Sequence, residues 1–296
     1  MNPNDYEFVG GLLKRRSGLV LAPGKEYLLE SRLTPIVRER GLSSLEDLVA
    51  ELRKPGSEAL QSEVTEAMTT NESFFFRDNT PFDLFNDEMM PALRSARGVQ
   101  KKLRIWCAAC STGQEPYSLA MLLKEMADKI VGWRIEIVAT DLSNEVLEKA
   151  KVGMYSQFEV QRGMPITLLV KYFTQVGEMW NIDAGVRAMV DYRKLNLLEG
   201  FANLGRFDIV FCRNVLIYFD QATKTQVLDG ITALMVPDGY LVLGAAETVL
   251  GISTKLKPVT GKKGLYVHNE RNIDAPATAA PAAAPPISTI PRLKAV

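Results

Sequence analysis

The sequence predicts an α/β protein in which a small all-helical domain precedes a doubly wound domain with a mostly parallel sheet. Apolar residues recur at helical spacing through residues 5–90, where no β-rich run occurs. Strand and helix patterns then alternate over about residues 100–270, which indicates successive βαβ units. We therefore expect a helical domain with its linker at 1–90, a doubly wound domain at 91–270 and a tail at 271–296.

The helical domain is predicted from four amphipathic segments that are separated by helix-ending residues. These segments lie around Tyr6–Leu13 and at Lys25–Arg40, Ser44–Arg53 and 57–69. Pro35 falls inside the second segment and predicts a kink or a restarted turn there.

In the second domain each predicted strand is followed by a helix. The strands are Leu103–Cys110, Arg134–Asp141, Phe207–Asn214 and Tyr240–Gly244, and the helices are Glu115–Lys129, Asn144–Val152 and Gln221–Met235. A final pair, Lys255–Val259 and Leu265–His268, predicts a hairpin that adds an antiparallel edge to the sheet. Residues 174–195 contain short strand-like pieces around glycines, and we expect a small antiparallel β insertion that leads into a sheet strand.

Composition excludes several classes of protein. Lys and Arg number 35 and so do Asp and Glu, so no global polycation favours nucleic acid as a partner. The N-terminus lacks the pattern of a signal peptide, and no apolar run reaches about 18 residues, so we expect a cytoplasmic protein that is not inserted in a membrane. Residues 275–286 contain only Ala, Pro and Thr, which predicts a disordered tail.

The cysteines do not predict a metal centre. Cys107 and Cys110 have CxxC spacing, but a structural zinc site needs about four ligands and the single histidine, His268, lies far along the chain. We expect no metal and interpret this stretch as small apolar residues packed at a strand end. One histidine also argues against a His-based catalytic triad.

The end of the first predicted strand points to a cofactor without phosphates. Ligands of open α/β sheets bind outside the carboxyl ends of the strands. Residues 109–115 turn there with one glycine, Gly113, which allows close approach to a ligand, instead of the three of a nicotinamide dinucleotide site. Glu115 at the helix start would repel a pyrophosphate but suits a sulfonium and an α-amino group. This chemistry indicates S-adenosylmethionine.

Asp141 ends the second predicted strand and has two interpretations. A carboxylate at this position can accept hydrogen bonds from ribose hydroxyls. Alternatively, Asp141 or Ser143 is the N-cap of the helix that begins at Asn144. The preceding turn favours the ribose interpretation.

Four segments together resemble the CheR-type chemoreceptor glutamate O-methyltransferases. They are residues 70–77 (TNESFFFR), 106–118 (WCAACSTGQEPYS), 196–198 (NLL) and 207–219 (FDIVFCRNVLIYF). The resemblance covers about residues 5–270. It implies a Rossmann-like domain that transfers a methyl group from S-adenosylmethionine to receptor glutamates in chemotactic adaptation. The products would be glutamyl methyl esters and S-adenosylhomocysteine.

The resemblance also implies the site residues. Cofactor contacts are expected from Asn71, Ser73, Arg77, Glu115, Asp141, Asn196, Leu197, Arg213 and Asn214. In this scheme Glu115 lies near the methionine moiety, Asp141 on the ribose, and Asn196 with Leu197 beside the adenine. Arg77 and Tyr218 would be the catalytic residues, and both can hydrogen-bond a carboxylate that needs no general base.

A basic second helix is expected to bind the helical cytoplasmic region of the receptors, which carries acidic side chains. Residues 14–40 contain seven Lys or Arg against three Glu. Arg32 and Arg38 resemble the family's receptor-binding positions, but they share a helix face only if Pro35 bends or restarts the helix. A solvated charged face is the alternative. The β insertion is shorter than in relatives that bind a receptor C-terminal pentapeptide, so we expect pentapeptide-independent methylation by an enzyme recruited to membrane receptors.

Two other functions remain to be tested. A non-catalytic S-adenosylmethionine-binding signalling protein would have the same fold, although Arg77, Asn214 and Tyr218 argue against it. A nucleic-acid methyltransferase is disfavoured by zero net charge and by the strand end Cys212–Val215, which is not an Asn/Asp-Pro-Pro-Tyr run.

Overall fold

The computed structural model of the chain describes residues 1–271. Apart from Arg271, the tail predicted at 271–296 lies outside the described residues. The helices within residues 3–96 are α1 (Pro3–Ser17), α2 (Glu26–Glu39), α3 (Leu45–Leu52), α4 (Glu58–Met68), α5 (Thr80–Leu84) and α6 (Met90–Ala96), with a π-helical turn at Phe85–Met89. Within residues 1–271, none of the helices combines the length and the apolar content required to cross a bilayer.

The first four helices bury one apolar core. Val9, Leu13, Leu29, Leu33 and Leu48 are fully buried at its centre. Local chain chemistry sets the helix ends. The α1 helix is capped by the Asn2 side chain and ended by a left-handed glycine, and α3 is capped by a serine.

The α2 helix continues through Pro35 from Glu26 to Glu39, so the predicted restart is wrong. Proline at this position removes one backbone donor, which leaves the Ser31 carbonyl without its helical partner. Both residues are exposed, so water can bond that carbonyl and the helix persists.

The large sheet has seven strands in the order β6-β2-β1-β7-β8-β10-β9. They are β1 (Lys102–Ala108), β2 (Arg134–Asp141), β6 (Val190–Lys194), β7 (Phe207–Cys212), β8 (Met235–Leu243), β9 (Leu256–Pro258) and β10 (Leu265–His268). The first five run parallel, and the last two form the predicted antiparallel hairpin at one edge. The predicted fold class is therefore confirmed.

Helices cover both faces of this sheet because the strands are apolar on both sides. On β1, Ile105 and Cys107 join one core, and Trp106 and Ala108 join the other. The connecting helices are α7 (Gln114–Glu125), α8 (Asn144–Val152), α9 (Gln157–Gln161), α10 (Ile166–Tyr172), α11 (Ala184–Arg187) and α12 (Gln221–Leu234).

The small antiparallel sheet has different bounds from those predicted. Its strands β3 (Met154–Ser156), β4 (Phe173–Val176) and β5 (Met179–Ile182) pair in the order β3-β5-β4. The predicted range 174–195 misses β3, which is too short to show alternation and lies before two helices. The prediction that this range leads into a sheet strand is confirmed by β6, which pairs with β2 in the large sheet.

Candidate active site

A cavity of about 990 Å³, a value that includes its open mouth, lies where the strand order of the large sheet reverses at β1. Its walls are the carboxyl ends of β1, β2 and β7 together with the linker that follows α4. Ligands of open α/β sheets bind at this position. The structure brings to the cavity every residue predicted for cofactor binding and catalysis: Asn71, Ser73, Arg77, Glu115, Asp141, Asn196, Leu197, Arg213, Asn214 and Tyr218.

The turn between β1 and α7 forms the floor of the cavity. Ala109 and Ser111 have positive φ angles of 56° and 50°, and both line the cavity. Gly113 has a φ of 92° but does not line the cavity, contrary to the prediction that it lets the backbone approach a ligand. A Cβ there would lie 2.6 Å from the Tyr192 hydroxyl, so this glycine is required for packing beneath the turn.

Asp141 is held in place by the same turn. Its carboxylate accepts hydrogen bonds from the backbone amides of Ser111 at 2.8 Å and Ser143 at 3.0 Å. The N-cap of α8 is Ser143, whose hydroxyl accepts from Val146, so the N-cap interpretation of Asp141 is wrong. Burial raises the pKa of Asp141, although the amide hydrogen bonds oppose this shift. A carboxylate has about four acceptor sites, so two remain for a ligand.

Glu115 and Arg213 form a buried ion pair beside this floor. The Arg213 Nη1 atom lies 2.8 Å from a Glu115 oxygen, and the two side chains are only 2% and 12% exposed. Burial raises the pKa of Glu115, and the Arg213 charge offsets this only in part. The Arg213 Nη2 atom also donates to Asp78 at 2.7 Å and to the Arg77 carbonyl at 2.9 Å. Arg213 therefore ties the linker to the sheet through its terminal nitrogens.

The linker after α4 forms a second wall. Arg77 is half-buried, donates from Nη1 to the Glu72 carbonyl at 3.0 Å and lies over the Phe74 ring. Phe75 and Phe76 are buried and anchor this segment in the core of the sheet domain. The Phe76 amide donates to the Ser118 hydroxyl of α7 at 3.0 Å. The position of Arg77 is thus set by its apolar neighbours.

Backbone strain is concentrated around the cavity. Six of the seven non-glycine residues with positive φ in the described chain lie in its bordering segments: Phe76, Asp78, Asn79, Ala109, Ser111 and Asn214. Such conformations persist only where the surroundings enforce them, and they cluster at functional sites.

The first helix and the segment after it complete the cavity. The Asn196 side chain donates to the Arg16 carbonyl at the end of α1 at 2.7 Å, and the Val20 amide donates to the Tyr218 carbonyl at 2.9 Å. The Asn196 amide is therefore engaged by the helical domain, whereas Leu197 offers an apolar side chain to the cavity.

Arg32 and Arg38 lie outside the cavity. The Arg32 guanidinium donates to the carbonyls of Met68 and Thr69 and to the Thr70 hydroxyl, at 2.5, 2.9 and 2.9 Å. Arg38 is exposed. Because α2 continues through Pro35, six residues separate the two arginines by about 120° around the helix axis. They do not share one face.

Glu247 was missed by the sequence analysis. It is 8% exposed and accepts hydrogen bonds from backbone amides around Asn214. A carboxylate shortly after the strand that ends near Gly244 was the available signal, but it resembles an ordinary loop residue.

The three cysteines are free and buried, and burial raises the pKa of each thiol. Within residues 1–271, no group of three or more His, Cys, Asp or Glu side chains is arranged to hold a metal ion.

Comparison with known proteins identifies related chains along most of the sequence. The family described as "CheR methyltransferase, SAM binding domain" matches residues 71–265, and "CheR methyltransferase, all-alpha domain" matches residues 4–69. The chain is 40% identical over 265 residues to chemotaxis protein methyltransferase 1 of Pseudomonas aeruginosa. The aligned region covers 88% of this chain and 96% of that protein. It is 38% identical over 266 residues to chemotaxis protein methyltransferase Cher2 of Pseudomonas putida, with the same coverage. It is 36% identical over 268 residues to chemotaxis protein methyltransferase 1 of Vibrio cholerae, and the aligned region covers 90% of this chain and 96% of that protein.

Proposed function

The chain belongs to the CheR methyltransferase family, and we propose that it methylates glutamate side chains of bacterial chemoreceptors in chemotactic adaptation. It is an S-adenosylmethionine-dependent methyltransferase, and its products are glutamyl methyl esters and S-adenosylhomocysteine. One observation carries the proposal. The residues expected for the donor and for the acceptor line a single cavity at the point where the strand order reverses.

The residues present fit this cofactor. Glu115 and Asp141 supply carboxylates on the cavity floor, which suit an α-amino group and ribose hydroxyls. Leu197 supplies an apolar surface for an adenine ring. Asn71, Ser73 and Asn214 would add polar contacts.

The chain must position two reactants and does not need to remove a proton. When bound, S-adenosylmethionine supplies an electrophilic methyl group on a sulfonium. A glutamate has an ordinary pKa of about 4.3, so the attacking carboxylate is ionised at neutral pH. Arg77 and Tyr218 donate hydrogen bonds to this carboxylate and orient it. Alignment of the two groups accounts for most of the rate enhancement.

Receptor binding uses Arg38 in the last turn of α2. Arg38 is exposed on that helix and contacts acidic side chains of the receptor's helical cytoplasmic region. Arg32 has an internal role instead, because its guanidinium donates hydrogen bonds to the end of α4 and to the first residues of the linker. The enzyme works in the cytoplasm at membrane receptors, and the short β insertion supports methylation without a receptor C-terminal pentapeptide.

The experiment is a methylation assay with radiolabelled S-adenosylmethionine and three acceptors: bacterial membranes that contain chemoreceptors, RNA and DNA. We expect volatile, alkali-labile label on receptor bands only, because glutamyl methyl esters hydrolyse in base. Equal labelling of receptors that lack the pentapeptide would support independence from it. Cofactor binding without label on any receptor would instead favour a non-catalytic signalling protein, and label on nucleic acid would reject the proposal.

A further inference from the structure

We propose that Glu247 is a positioning residue that fixes the Asn214–Tyr218 wall of the active site, an inference that rests on the proposed function. Its carboxylate accepts hydrogen bonds from four backbone amides. The donors and their distances are Asn214 at 2.8 Å, Val215 at 3.0 Å, Leu216 at 2.7 Å and Gly244 at 2.7 Å. The side chain thereby joins the end of β8 to the segment that follows β7.

The chemistry of this contact requires a carboxylate. An ionised carboxylate offers about four acceptor sites and no donor, and the four amides use all of them. A glutamine of similar shape would turn an NH₂ group toward two of these N–H donors. The buried amides that lose their acceptor would then be unsatisfied.

The segment held by Glu247 is strained and faces the cavity. Asn214 has a φ of 60°, a conformation that a non-glycine residue adopts only when its surroundings enforce it. Asn214, Val215 and Tyr218 all line the cavity. Release of the Glu247 contacts would let Asn214 relax, and the Tyr218 side chain four residues later would shift with it.

A second contact supports the same assignment. A Cβ at Gly244 would lie 2.8 Å from a Glu247 oxygen, 2.9 Å from the Asn214 side-chain nitrogen and 3.0 Å from the Asn214 amide. The φ of Gly244 is not in the left-handed region, so an alanine would act there through these contacts alone. Gly244→Ala therefore perturbs the same wall without changing any charge.

Asp208 on β7 provides a matched control. It is 7% exposed, close to the 8% of Glu247, and lies at the opposite end of β7. Its carboxylate accepts from the Arg104 amide at 2.8 Å and from Arg97. Asp208→Asn removes a buried, hydrogen-bonded charge from β7 without touching the cavity, so it reports the general cost of such a loss.

The test compares Glu247→Gln, Gly244→Ala and Asp208→Asn with the wild type. The readouts are kcat with a receptor fragment, the dissociation constant of S-adenosylhomocysteine, and hydrogen exchange of the Asn214, Val215 and Leu216 amides. A misplacement of about 1 Å can lower a rate about 100-fold, so we expect losses of this order in kcat for Glu247→Gln and Gly244→Ala. The dissociation constant should change less than kcat, because Asn214 is only one of several expected cofactor contacts, and Asp141 and Leu197 do not contact Glu247. The three amides should exchange faster in Glu247→Gln and at the wild-type rate in Asp208→Asn.

Wild-type kcat in Glu247→Gln, or a loss no larger than in Asp208→Asn, would overturn the assignment. If Glu247→Gln does not fold, the test relies on Gly244→Ala. A wild-type kcat in Gly244→Ala would then overturn the assignment. Failure of the proposed function is distinguishable, because the wild-type protein itself would then not label the receptor fragment. In that case amide exchange decides, and unchanged exchange in Glu247→Gln rejects the positioning role.

Discussion

The Glu115 carboxylate lies 2.8 Å from the Nη1 atom of Arg213, so one buried contact joins the first turn of α7 to the end of β7. The same guanidinium reaches the linker at Asp78. Three parts of the cavity wall therefore meet at one arginine. A positive ligand group that approaches Glu115 must share its carboxylate with Arg213.

Cofactor affinity should rise with pH in the mildly acidic range. Burial raises the pKa of Glu115, so this carboxyl keeps its proton to a higher pH in the free protein than an exposed glutamate does. The positively charged α-amino group of the ligand favours the ionised carboxylate, so binding to the protonated form releases a proton. Titration calorimetry of S-adenosylhomocysteine in buffers with different ionisation enthalpies measures that release directly.

The control for this pH dependence is Glu115→Gln. Asp141 also has a raised pKa, so the variant should release fewer protons than the wild type but still some. Without the cofactor, the folded state binds the Glu115 proton more tightly than the unfolded chain does. The contribution of this group to stability therefore falls as pH rises from its unfolded pKa through the folded one. A binding enthalpy that does not depend on the buffer would contradict the prediction.

Arg77→Ala should lower methyl transfer by about 100-fold or more, because a hydrogen-bond donor that orients the attacking carboxylate is lost. The fold should persist, since Arg77 is half-buried and its neighbours Phe75 and Phe76 anchor the linker. The control is Arg162→Ala, because Arg162 also lies over the Phe74 ring and pairs with Glu72 but does not itself line the cavity. Steady-state kinetics and thermal unfolding of both variants test the prediction. Equal losses of kcat would assign Arg77 a merely structural role.

Arg32 and Arg38 should respond differently to substitution. Arg38→Glu should raise the KM for a receptor fragment roughly fivefold, the size of an exposed ion pair of about 1 kcal/mol, and should weaken its dependence on salt. Arg32→Ala loses three hydrogen bonds to the linker and should lower the free energy of unfolding by about 1–3 kcal/mol. Arg32→Ala should also weaken S-adenosylhomocysteine binding, since Thr69 and Thr70 line the cavity. Equal changes of the two variants in the KM for the receptor fragment, the free energy of unfolding and S-adenosylhomocysteine binding would contradict these different roles.

Gly163→Ala should destabilise the fold more than Gly177→Ala does. Both glycines have positive φ, so each substitution has a backbone cost of about 1–2 kcal/mol. A Cβ at Gly163 would also lie 2.1 Å from the Phe75 carbonyl, whereas nothing lies within 4 Å at Gly177. Urea unfolding measures the free energy of unfolding of each variant. The difference between the two variants gives the cost of the contact between residue 163 and the Phe75 carbonyl. Equal losses of stability would show that Gly163 does not support Phe75.

Regular elements of the fold were predictable because their patterns are local. The strands β1, β2 and β7 contain the apolar runs Ile105–Ala108, Ile137–Ala139 and Ile209–Cys212, and the ends at Asp141 and Asn214 follow from them. The β3 strand of the small sheet, Met154–Ser156, was not predictable, because its partner β5, Met179–Ile182, lies beyond two intervening helices.

The cavity residues were identified from motifs, but their internal partners were not. Nothing in the local sequence around Arg32 indicates that its guanidinium reaches the end of α4, more than 30 residues later. Glu247 likewise contacts amides more than 30 residues earlier. Such contacts depend on tertiary placement, so a single sequence offers no pattern that would specify them.

The hydrogen bonds from Asn196 to Arg16 and from Val20 to Tyr218 make the N-terminal helix part of the cavity wall. Three of the four groups in these bonds are backbone atoms, so only the Asn196 side chain is specific to the sequence. A chimera of two relatives joined near residue 70 should therefore keep this wall when the parent of the second part supplies an asparagine at position 196.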